Sequence, residues 1–319
     1  MSTGGTAPEV GMYIALERGY FRAEGLDVQL VSMPGGASDT FPALAAGQLD
    51  FAVNPMGAAL LNAIQRDVNL RVVAPAIHPG PDAKTNSIVV RQDLIDSGRY
   101  KTAADLKGMT IGVGPGIVDV GELVVRKTLA NVGLQPSDVS ERALGFPEEV
   151  TALSTKQLDA AEVVEPFGLQ TENQGLAKAV LFAGAVLADC DCVVLIVSPT
   201  FAERSPEAVR RLVTGQLRGQ RDYYNAFQGS SPNRADRPAI YDILAKYTTI
   251  KNPQLYAALD QADRLPAVDP NDTFHSSGFD TVQQYFVDNG VVPSKLPLDR
   301  IVDDSYIQYA LQRLGRIPQ

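Results

Sequence analysis

The sequence predicts an α/β protein built from two similar lobes, and three observations support this prediction. The chain has 319 residues, which is long for one hydrophobic core and ample for two. Short apolar strands alternate with helices, the order typical of a mostly parallel sheet covered by helices. A stretch of the first half recurs in the second half at a constant offset, which indicates two copies of one structural unit.

The first half of the chain reads as a regular series of helices and strands. A helix is expected over 9–18, and Gly19 and Gly25 suit the left-handed conformation that ends helices and tight turns. The elements expected next are a strand at 28–31, a helix at 40–46, a strand at 51–53, a helix at 57–66 and a strand at 70–74.

The repeat is the most informative feature of the sequence. Residues 43–52 (ALAAGQLDFA) match residues 152–161 (ALSTKQLDAA) at an offset of 109 positions. Each copy contains a helix end, a turn with an acidic residue and a short apolar strand, and each strand runs into a proline-bearing loop, at 54–55 and 165–166. The period is too long and the copies too few for a solenoid, so the pattern predicts two α/β lobes.

Two further apolar runs, at 87–90 and 193–197, are predicted to be strands in which the chain crosses between the lobes and returns. This prediction gives a discontinuous lobe I of residues 1–87 and 198–319, and a lobe II of residues 88–197. Lobe I then contains a helix that starts at Pro206 and a last helix over 304–314.

Composition and charge exclude several classes of function. The chain is 45% hydrophobic and 20% charged, as expected for a globular protein. Its net charge of -9 repels phosphate backbones, so we expect no nucleic-acid partner. It has neither a basic run for anionic lipid nor an apolar stretch of roughly 18 residues that would span a bilayer.

The sequence offers little support for metal or covalent chemistry. His78 and His275 are far apart and have no recognised ligand spacing, so we expect neither a metal site nor a cofactor. Cys190 and Cys192 are expected to be unpaired buried residues, because a disulfide between positions i and i+2 strains the bridge geometry. Acidic neighbours at 189 and 191 disfavour a reactive thiolate, and no nucleophile elbow, P-loop or dinucleotide fingerprint is present.

Several segments resemble one family of binding proteins. Residues 13–28 (YIALERGYFRAEGLDV) are similar to the opening helix and strand of the nitrate-, sulfonate-, taurine- and thiamine-precursor-binding proteins of ABC importers. Similar segments follow in the same order: AGQLDFA at 46–52, DLKGMTIGV at 105–113, QLDAA at 157–161 with EPF at 165–167, and YALQRLG at 309–315. The resemblance therefore covers nearly the whole chain.

The resemblance implies a type II periplasmic-binding-protein fold that holds a small-molecule ligand between its lobes and catalyses no reaction. It also implies a monomer that works outside the cytoplasm, in the periplasm or anchored to the membrane, and delivers its ligand to an ABC permease. Two features depart from the family. The chain begins where the first strand should be ending, without an export signal, so we expect a start assigned too late. Val164 stands where many relatives carry tryptophan, which puts aromatic stacking there in doubt.

Ligands of open α/β sheets bind beyond the carboxyl ends of the strands, and this rule selects the candidate site. The glycines of the candidate loops allow close backbone approach to a ligand, although tight turns would require them equally. The predicted ligand-binding residues are Thr6, Met12, Tyr13, Gly35, Gly36, Ser38, Asn54, Pro55, His78, Gly116, Ile117, Asp119, Glu165 and Phe167.

Asp119 bears on the kind of ligand. It precedes a helix expected over 122–131, and its charge, even if it only caps that helix, occupies the place that a sulfonate would need. We therefore hypothesise that the ligand is not a simple inorganic anion or a small sulfonate. An aromatic acid or an aminopyrimidine fits better, within a wider set of candidates that includes sulfonate-like compounds.

Two alternatives to a binding protein stay open. Enzymes related to pyrimidine synthases or to a desulfinase occur on the implied fold, but the cysteine cluster expected of the pyrimidine synthases is missing here. A cytoplasmic sensor domain would explain the missing signal, yet no DNA-binding module is attached.

Overall fold

The computed structural model describes residues 1–33, 37–115, 120–188, 190–230 and 232–318. The strands in these ranges are β1 (Ser2–Thr3), β2 (Val31–Ser32), β3 (Phe51–Pro55), β4 (Arg71–Pro75), β5 (Asn86–Arg91), β6 (Thr110–Gly112), β7 (Ser140–Arg142), β8 (Ala160–Val164), β9 (Ala177–Phe182) and β10 (Val193–Val197). The helices are α1 (Val10–Glu17), α2 (Tyr20–Ala23), α3 (Ala37–Ala45), α4 (Ala58–Gln65), α5 (Gln92–Asp96), α6 (Val120–Asn131), α7 (Phe146–Ser154), α8 (Phe167–Asn173), α9 (Pro199–Arg204), α10 (Pro206–Phe227), α11 (Arg237–Tyr247), α12 (Pro253–Gln261), α13 (Ser276–Asp288), α14 (Leu298–Ile301) and α15 (Ser305–Leu314).

The described strands form two five-stranded sheets with the same plan. The first sheet has the order β2-β1-β3-β10-β4, and the second has the order β7-β6-β8-β5-β9. In the first sheet β1 is parallel to β2 and β3, whereas β10 is antiparallel to β3 and β4. In the second sheet β6 is parallel to β7 and β8, whereas β5 is antiparallel to β8 and β9. The predicted α/β architecture is therefore confirmed.

The sequence repeat corresponds to a structural repeat. Helix α3 and strand β3 of the first lobe occupy residues 37–45 and 51–55, and α7 and β8 of the second lobe occupy residues 146–154 and 160–164. The offset from α3 to α7, and from β3 to β8, is the same 109 positions as in the sequence match. Both strands hold equivalent central places in their sheets, because each is flanked by a parallel strand and an antiparallel one.

The chain passes between the two sheets in residues 76–85 and 183–192, which we name the connecting segments. Strand β5 lies wholly in the second sheet and β10 wholly in the first. The crossings therefore precede these strands instead of running through 87–90 and 193–197, and β10 belongs with lobe I although the sequence division placed it in lobe II. The segments touch each other, since the Gly184 amide donates a hydrogen bond of 3.2 Å to the Ala83 carbonyl.

The helices of the first lobe pack without space for an added side chain at one crossing. Helices α1 and α10 cross at Gly11 and Gly219, and a Cβ atom built on Gly219 would meet the Gly11 carbonyl and lie 2.9 Å from the Ala15 amide nitrogen. The apolar stripe of α10 is buried in the core of this lobe and comprises Val209, Leu212, Val213 and Leu217. Among the described residues, no helix combines the length and apolar character that crossing a membrane requires.

Two local predictions are wrong. The strand expected at 28–31 is the two-residue β2, because Val28 and Leu30 pack against the first lobe's core instead of joining the sheet. Cys190 and Cys192 form a disulfide and are not free thiols. They lie just before β10 and outside any strand, and their Cα atoms are 4.9 Å apart, a separation that a disulfide can bridge.

Candidate functional site

A cleft of about 480 Å³ lies between the two sheets. Its wall includes the ends of equivalent strands from the two lobes: residues 3–6 and 53–55 come from the first, and residues 113–115 follow β6 in the second. Parallel α/β sheets bind ligands beyond the carboxyl ends of their strands, and the cleft occupies that position in both lobes. A ligand placed here would touch both lobes at once.

Most of the wall is apolar. Phe146 and Phe167 stack with their ring centroids 5.6 Å apart, and both line the cleft. Other large apolar residues of the wall include Met33, Val53, Pro55, Ile77, Val113, Val124, Val164 and Leu187. Such a surface, with a few convergent polar groups, is typical of sites for small organic molecules.

Glu162 is the most unusual polar group of the wall. It lies in β8 between apolar neighbours, and only 1% of its surface is exposed. Its Oε1 atom accepts a hydrogen bond of 2.8 Å from Asn86 Nδ2. Burial outweighs this hydrogen bond and raises the pKa of Glu162 to about 7. Near neutral pH this carboxyl can therefore accept a hydrogen bond or, when protonated, donate one.

The raised pKa makes a prediction about stability. The carboxyl takes up its proton more readily in the folded chain, so its contribution to stability is complete below about pH 4.5 and is lost as the pH rises through about 7. Glu162→Gln cannot ionise. We expect its free energy of unfolding, relative to wild type, to rise by about 2–3 kcal/mol from pH 5 to pH 8. Urea unfolding at both pH values measures this change.

Glu207, an exposed residue of α10, provides the control for that measurement. The Glu207→Gln variant should follow the wild-type pH dependence within about 0.5 kcal/mol. A Glu162→Gln variant whose stability changes with pH in parallel with wild type would contradict a pKa near 7 for Glu162.

The carboxylate of Glu9 lies at the edge of the cleft and is already hydrogen-bonded to groups of the protein. Its carboxylate accepts hydrogen bonds of 3.0 Å from the amides of Gly4 and Thr6, and one of 2.6 Å from the Tyr13 hydroxyl. These bonds fix the turn at residues 3–6 against the start of α1. Burial raises the pKa of Glu9, which is 3% exposed.

Charge and hydrogen-bonding capacity on the wall are unevenly distributed. Three carboxyls line the cleft, from Glu9, Glu148 and Glu162, and the basic side chain on the described wall is Lys251, whose ammonium group donates a hydrogen bond of 2.7 Å to the Lys246 carbonyl. The Thr40 hydroxyl is fully buried on the wall and has no partner among the described residues. Hydrogen-bond acceptors therefore outnumber cationic groups on the described wall.

The predicted site residues fall into three groups. Thr6, Asn54, Pro55 and Phe167 line the cleft, and their contact with a ligand stays a prediction. The five residues Gly35, Gly36, Gly116, Ile117 and Asp119 lie outside the described residues. The remaining five, Met12, Tyr13, Ser38, His78 and Glu165, are not on the described wall.

Three of these five residues lie in helices of the first lobe. Met12 is buried in the first lobe's core, and Ser38 lies in the first turn of α3. Tyr13 lies behind the wall, where its ring stacks on Tyr247 with a centroid distance of 5.5 Å. Burial and the adjacent Glu9 raise the pKa of Tyr13 well above its ordinary value.

His78 and Glu165 contact charged side chains and do not lie on the described wall. His78 Nδ1 lies 2.8 Å from Asp191 Oδ1. Glu165 Oε1 lies 2.6 Å from Arg264 Nη2, and the same guanidinium lies 2.5 Å from Glu172. Arg264 follows α12, whereas Glu165 and Glu172 belong to the second lobe, so this buried ion pair joins the C-terminal part of the chain to the second lobe.

Sequence reasoning missed Glu162, Asn86, Thr40 and Lys251. A signal was available for Glu162, because a glutamate inside the apolar run AAEVV is a buried carboxyl with a perturbed pKa, and such groups concentrate at functional sites. Lys251 had no local signal, since it reaches the wall from a segment about 85 residues beyond β8.

Comparison with known proteins gives a consistent result. A curated protein of Brucella abortus, described as a binding protein, is 31% identical over 153 residues, which cover 48% of this chain and 43% of that protein. The nitrate-binding protein NrtA of Synechocystis has a similar structure, with a TM-score of 0.79, 15% identity, and coverage of 98% of this chain and 87% of that one.

The ligand-binding component of an ABC-type import system from Staphylococcus aureus matches with a TM-score of 0.76, 17% identity, and 96% coverage of each chain. An enzyme shares the fold as well: the desulfurization enzyme DSZB matches with a TM-score of 0.62 at 16% identity, over 96% of each chain. At these identities the structural matches establish the fold, and they leave the choice between binding and catalysis to the site itself.

The sequence model of one family matches residues 8–227, which include α1, both connecting segments, the whole second sheet and all of α10. This match spans well over half of the chain and agrees with the family resemblance of the sequence segments. The chain belongs to the NMT1/THI5-like family.

Proposed function

We propose that this chain is the substrate-binding component of an ABC importer, which captures a small organic molecule outside the cytoplasm and delivers it to a membrane permease. The observation that carries the proposal is the cleft between the two sheets, with its largely apolar wall. The import component from Staphylococcus aureus has the same fold over nearly its whole length.

The wall supports a ligand with an apolar or aromatic body and a head group that donates hydrogen bonds. Glu162 and Asn86 present a carboxyl and an amide on the second lobe's side, and Asn54 and Thr40 present polar groups on the first lobe's side. The Phe146–Phe167 stack offers an aromatic surface beside them. An aminopyrimidine combines both features. Nitrate and small sulfonates are disfavoured because three carboxyls share the wall with Lys251.

Binding is proposed to close the cleft. A ligand that contacts both lobes stabilises the arrangement in which the lobes are nearest, and the connecting segments absorb the backbone changes. These segments are short and joined by the hydrogen bond at Gly184, so we expect them to bend together. Small-angle scattering should show compaction when a saturating ligand is added, and an unchanged scattering curve would count against closure.

A thermal-shift screen tests the proposed function. The purified chain is heated with aminopyrimidines, aromatic acids, alkanesulfonates and nitrate, each in turn. A ligand at about 100 times its dissociation constant adds roughly 2.7 kcal/mol to the free energy of unfolding, which shifts the melting temperature measurably. We expect the aminopyrimidine class to stabilise the chain and to be recovered unchanged. A compound that is consumed would instead indicate an enzyme.

Glu162→Gln tests the proposed head-group contact with any compound found in the screen. A hydrogen bond to a charged group contributes about 1.5–3 kcal/mol, so the variant should bind a donor ligand about 10- to 100-fold more weakly in calorimetric titration. Glu207→Gln should bind it as wild type does. Equal affinity for all three proteins, or tight binding of nitrate by wild type, would contradict the proposed ligand class.

A further inference from the structure

Two histidines and an aspartate from three distant parts of the chain meet outside the cleft. His78 Nδ1 lies 2.8 Å from Asp191 Oδ1, and His275 Nδ1 lies 3.2 Å from Asp191 Oδ2. The imidazole rings stack on each other with their centroids 3.8 Å apart. These are the two histidines of the whole sequence, and both are directed at one carboxylate.

The carboxylate is fixed in place, whereas the imidazoles are accessible. Asp191 is fully buried and also accepts a hydrogen bond of 2.6 Å from the His275 amide. It lies between the disulfide-bonded Cys190 and Cys192, which restrains its backbone. The side chains of His78 and His275 are 26% and 36% exposed, so both imidazoles are partly accessible to solvent.

The surroundings of Asp191 are acidic. Asp269 and Asp272 are buried nearby, and burial, Asp269 and Asp191 together raise the pKa of Asp272 well above its ordinary value, while Arg221 lowers it. Arg221 directs its Nε and Nη1 donors to the carbonyls of Pro270 and Leu314.

We propose that His78, Asp191 and His275 bind a divalent transition-metal ion of the zinc type. One ligand atom from each residue lies within 4.8 Å of the other two. Two imidazole nitrogens and one carboxylate oxygen are a donor set that Zn²⁺ accepts at about 2.0–2.2 Å, with water in the remaining position. Mg²⁺ and Ca²⁺ prefer oxygen ligands, so this set selects against them.

The ion requires little rearrangement. In a tetrahedral site, two atoms that bind Zn²⁺ at about 2.0–2.2 Å lie about 3.3–3.6 Å apart. Small rotations of the partly exposed imidazoles therefore bring the three ligand atoms to the required distances. The hydrogen bonds to Asp191 hold both rings near these positions before the ion binds.

The position of the site gives the ion a structural effect. His78 lies in the first connecting segment, Asp191 in the second, and His275 immediately before α13. A bound ion would thus fasten both connecting segments to the C-terminal part of the first lobe. Metal binding at this site does not depend on what the cleft binds.

Calorimetric titration with ZnCl₂ tests the site. The full chain is used after removal of any polyhistidine tag and treatment with EDTA, and MgCl₂ serves as the comparison ion. We expect wild type to bind one Zn²⁺ ion per chain and no Mg²⁺. Loss of an outer-shell partner weakens metal binding about 10- to 100-fold, so loss of a direct ligand in His78→Gln or His275→Gln should weaken it at least that much.

Asp191→Asn should also lose Zn²⁺ binding, and Asp27→Asn, which changes an exposed carboxylate, should bind as wild type does. If Asp191→Asn fails to fold by circular dichroism, the two histidine variants decide the question, because their side chains are partly exposed. Absence of Zn²⁺ binding by wild type, or equal Zn²⁺ affinity of wild type and both histidine variants, would overturn the proposal.

Discussion

Arg264→Met is expected to lower the free energy of unfolding at pH 8 by about 3–5 kcal/mol. Arg264 is 4% exposed and forms ion pairs of 2.6 Å with Glu165 and 2.5 Å with Glu172. Methionine fills a similar volume, so the main change is electrostatic. Glu165 is 1% exposed, and without the arginine it must either keep a buried charge that has no cationic partner or take up a proton. Either outcome costs stability.

A double-mutant cycle separates this effect from simple loss of packing. Glu165→Gln removes the buried charge, so Arg264→Met should cost about 2 kcal/mol less in that background. Arg210 pairs with Glu207 on the surface, and Arg210→Met should change stability by no more than about 1 kcal/mol. Urea unfolding of the variants gives the required free energies. Equal costs of Arg264→Met in both backgrounds would show that charge pairing does not stabilise this contact.

Gly219→Ala is expected to destabilise the chain by about 3 kcal/mol. Helix propensity alone predicts the opposite sign, since alanine in a helix interior is more favourable than glycine by roughly 0.5–1 kcal/mol. At the crossing of α1 and α10, however, the added methyl group would meet the Gly11 carbonyl and the Ala15 amide, which are backbone atoms. Backbone cannot rotate away as a side chain can, so the helices must separate and lose packing along their length.

Gly80→Ala is the matched control, because no atom lies within 4 Å of a Cβ built at Gly80. Its stability should stay within about 0.5 kcal/mol of wild type in urea unfolding. The sign of the Gly219→Ala effect decides the matter. A variant as stable as wild type would mean that the helices cross at a greater distance than the structure gives.

The fold was predictable from sequence because its signals are local. Apolar strands such as 193–197 and the repeat at 43–52 and 152–161 specify strand and helix without knowledge of distant contacts. The sheet to which each strand belongs was less predictable. Strand β10 joins the first sheet through pairs such as Leu195 with Val53, and that pairing depends on residues 142 positions apart.

The site was predictable only where the strand-end rule applies. Asn54 and Pro55 are the last residues of a strand that ends at the wall, and Thr6 and Phe167 follow strands that end there. His78 and Glu165 also follow this rule by position, but their partners Asp191 and Arg264 draw them elsewhere, and those partners are about 100 positions away. Which partner a polar residue contacts depends on distances in the folded chain. Position in the sequence alone therefore did not distinguish the residues on the wall from His78 and Glu165.

All strands of the second sheet lie in the sequence between β4 and β10 of the first sheet, and this order affects how the chain folds during synthesis. The second sheet draws on one continuous stretch, from β5 to β9, so it can be assembled as soon as residues 86–182 have left the ribosome. The first sheet lacks the strand between β3 and β4 until residues 193–197 emerge. The lobe that is begun first is therefore finished last, and during translation the facing edges of β3 and β4 stay open to wrong partners until β10 arrives.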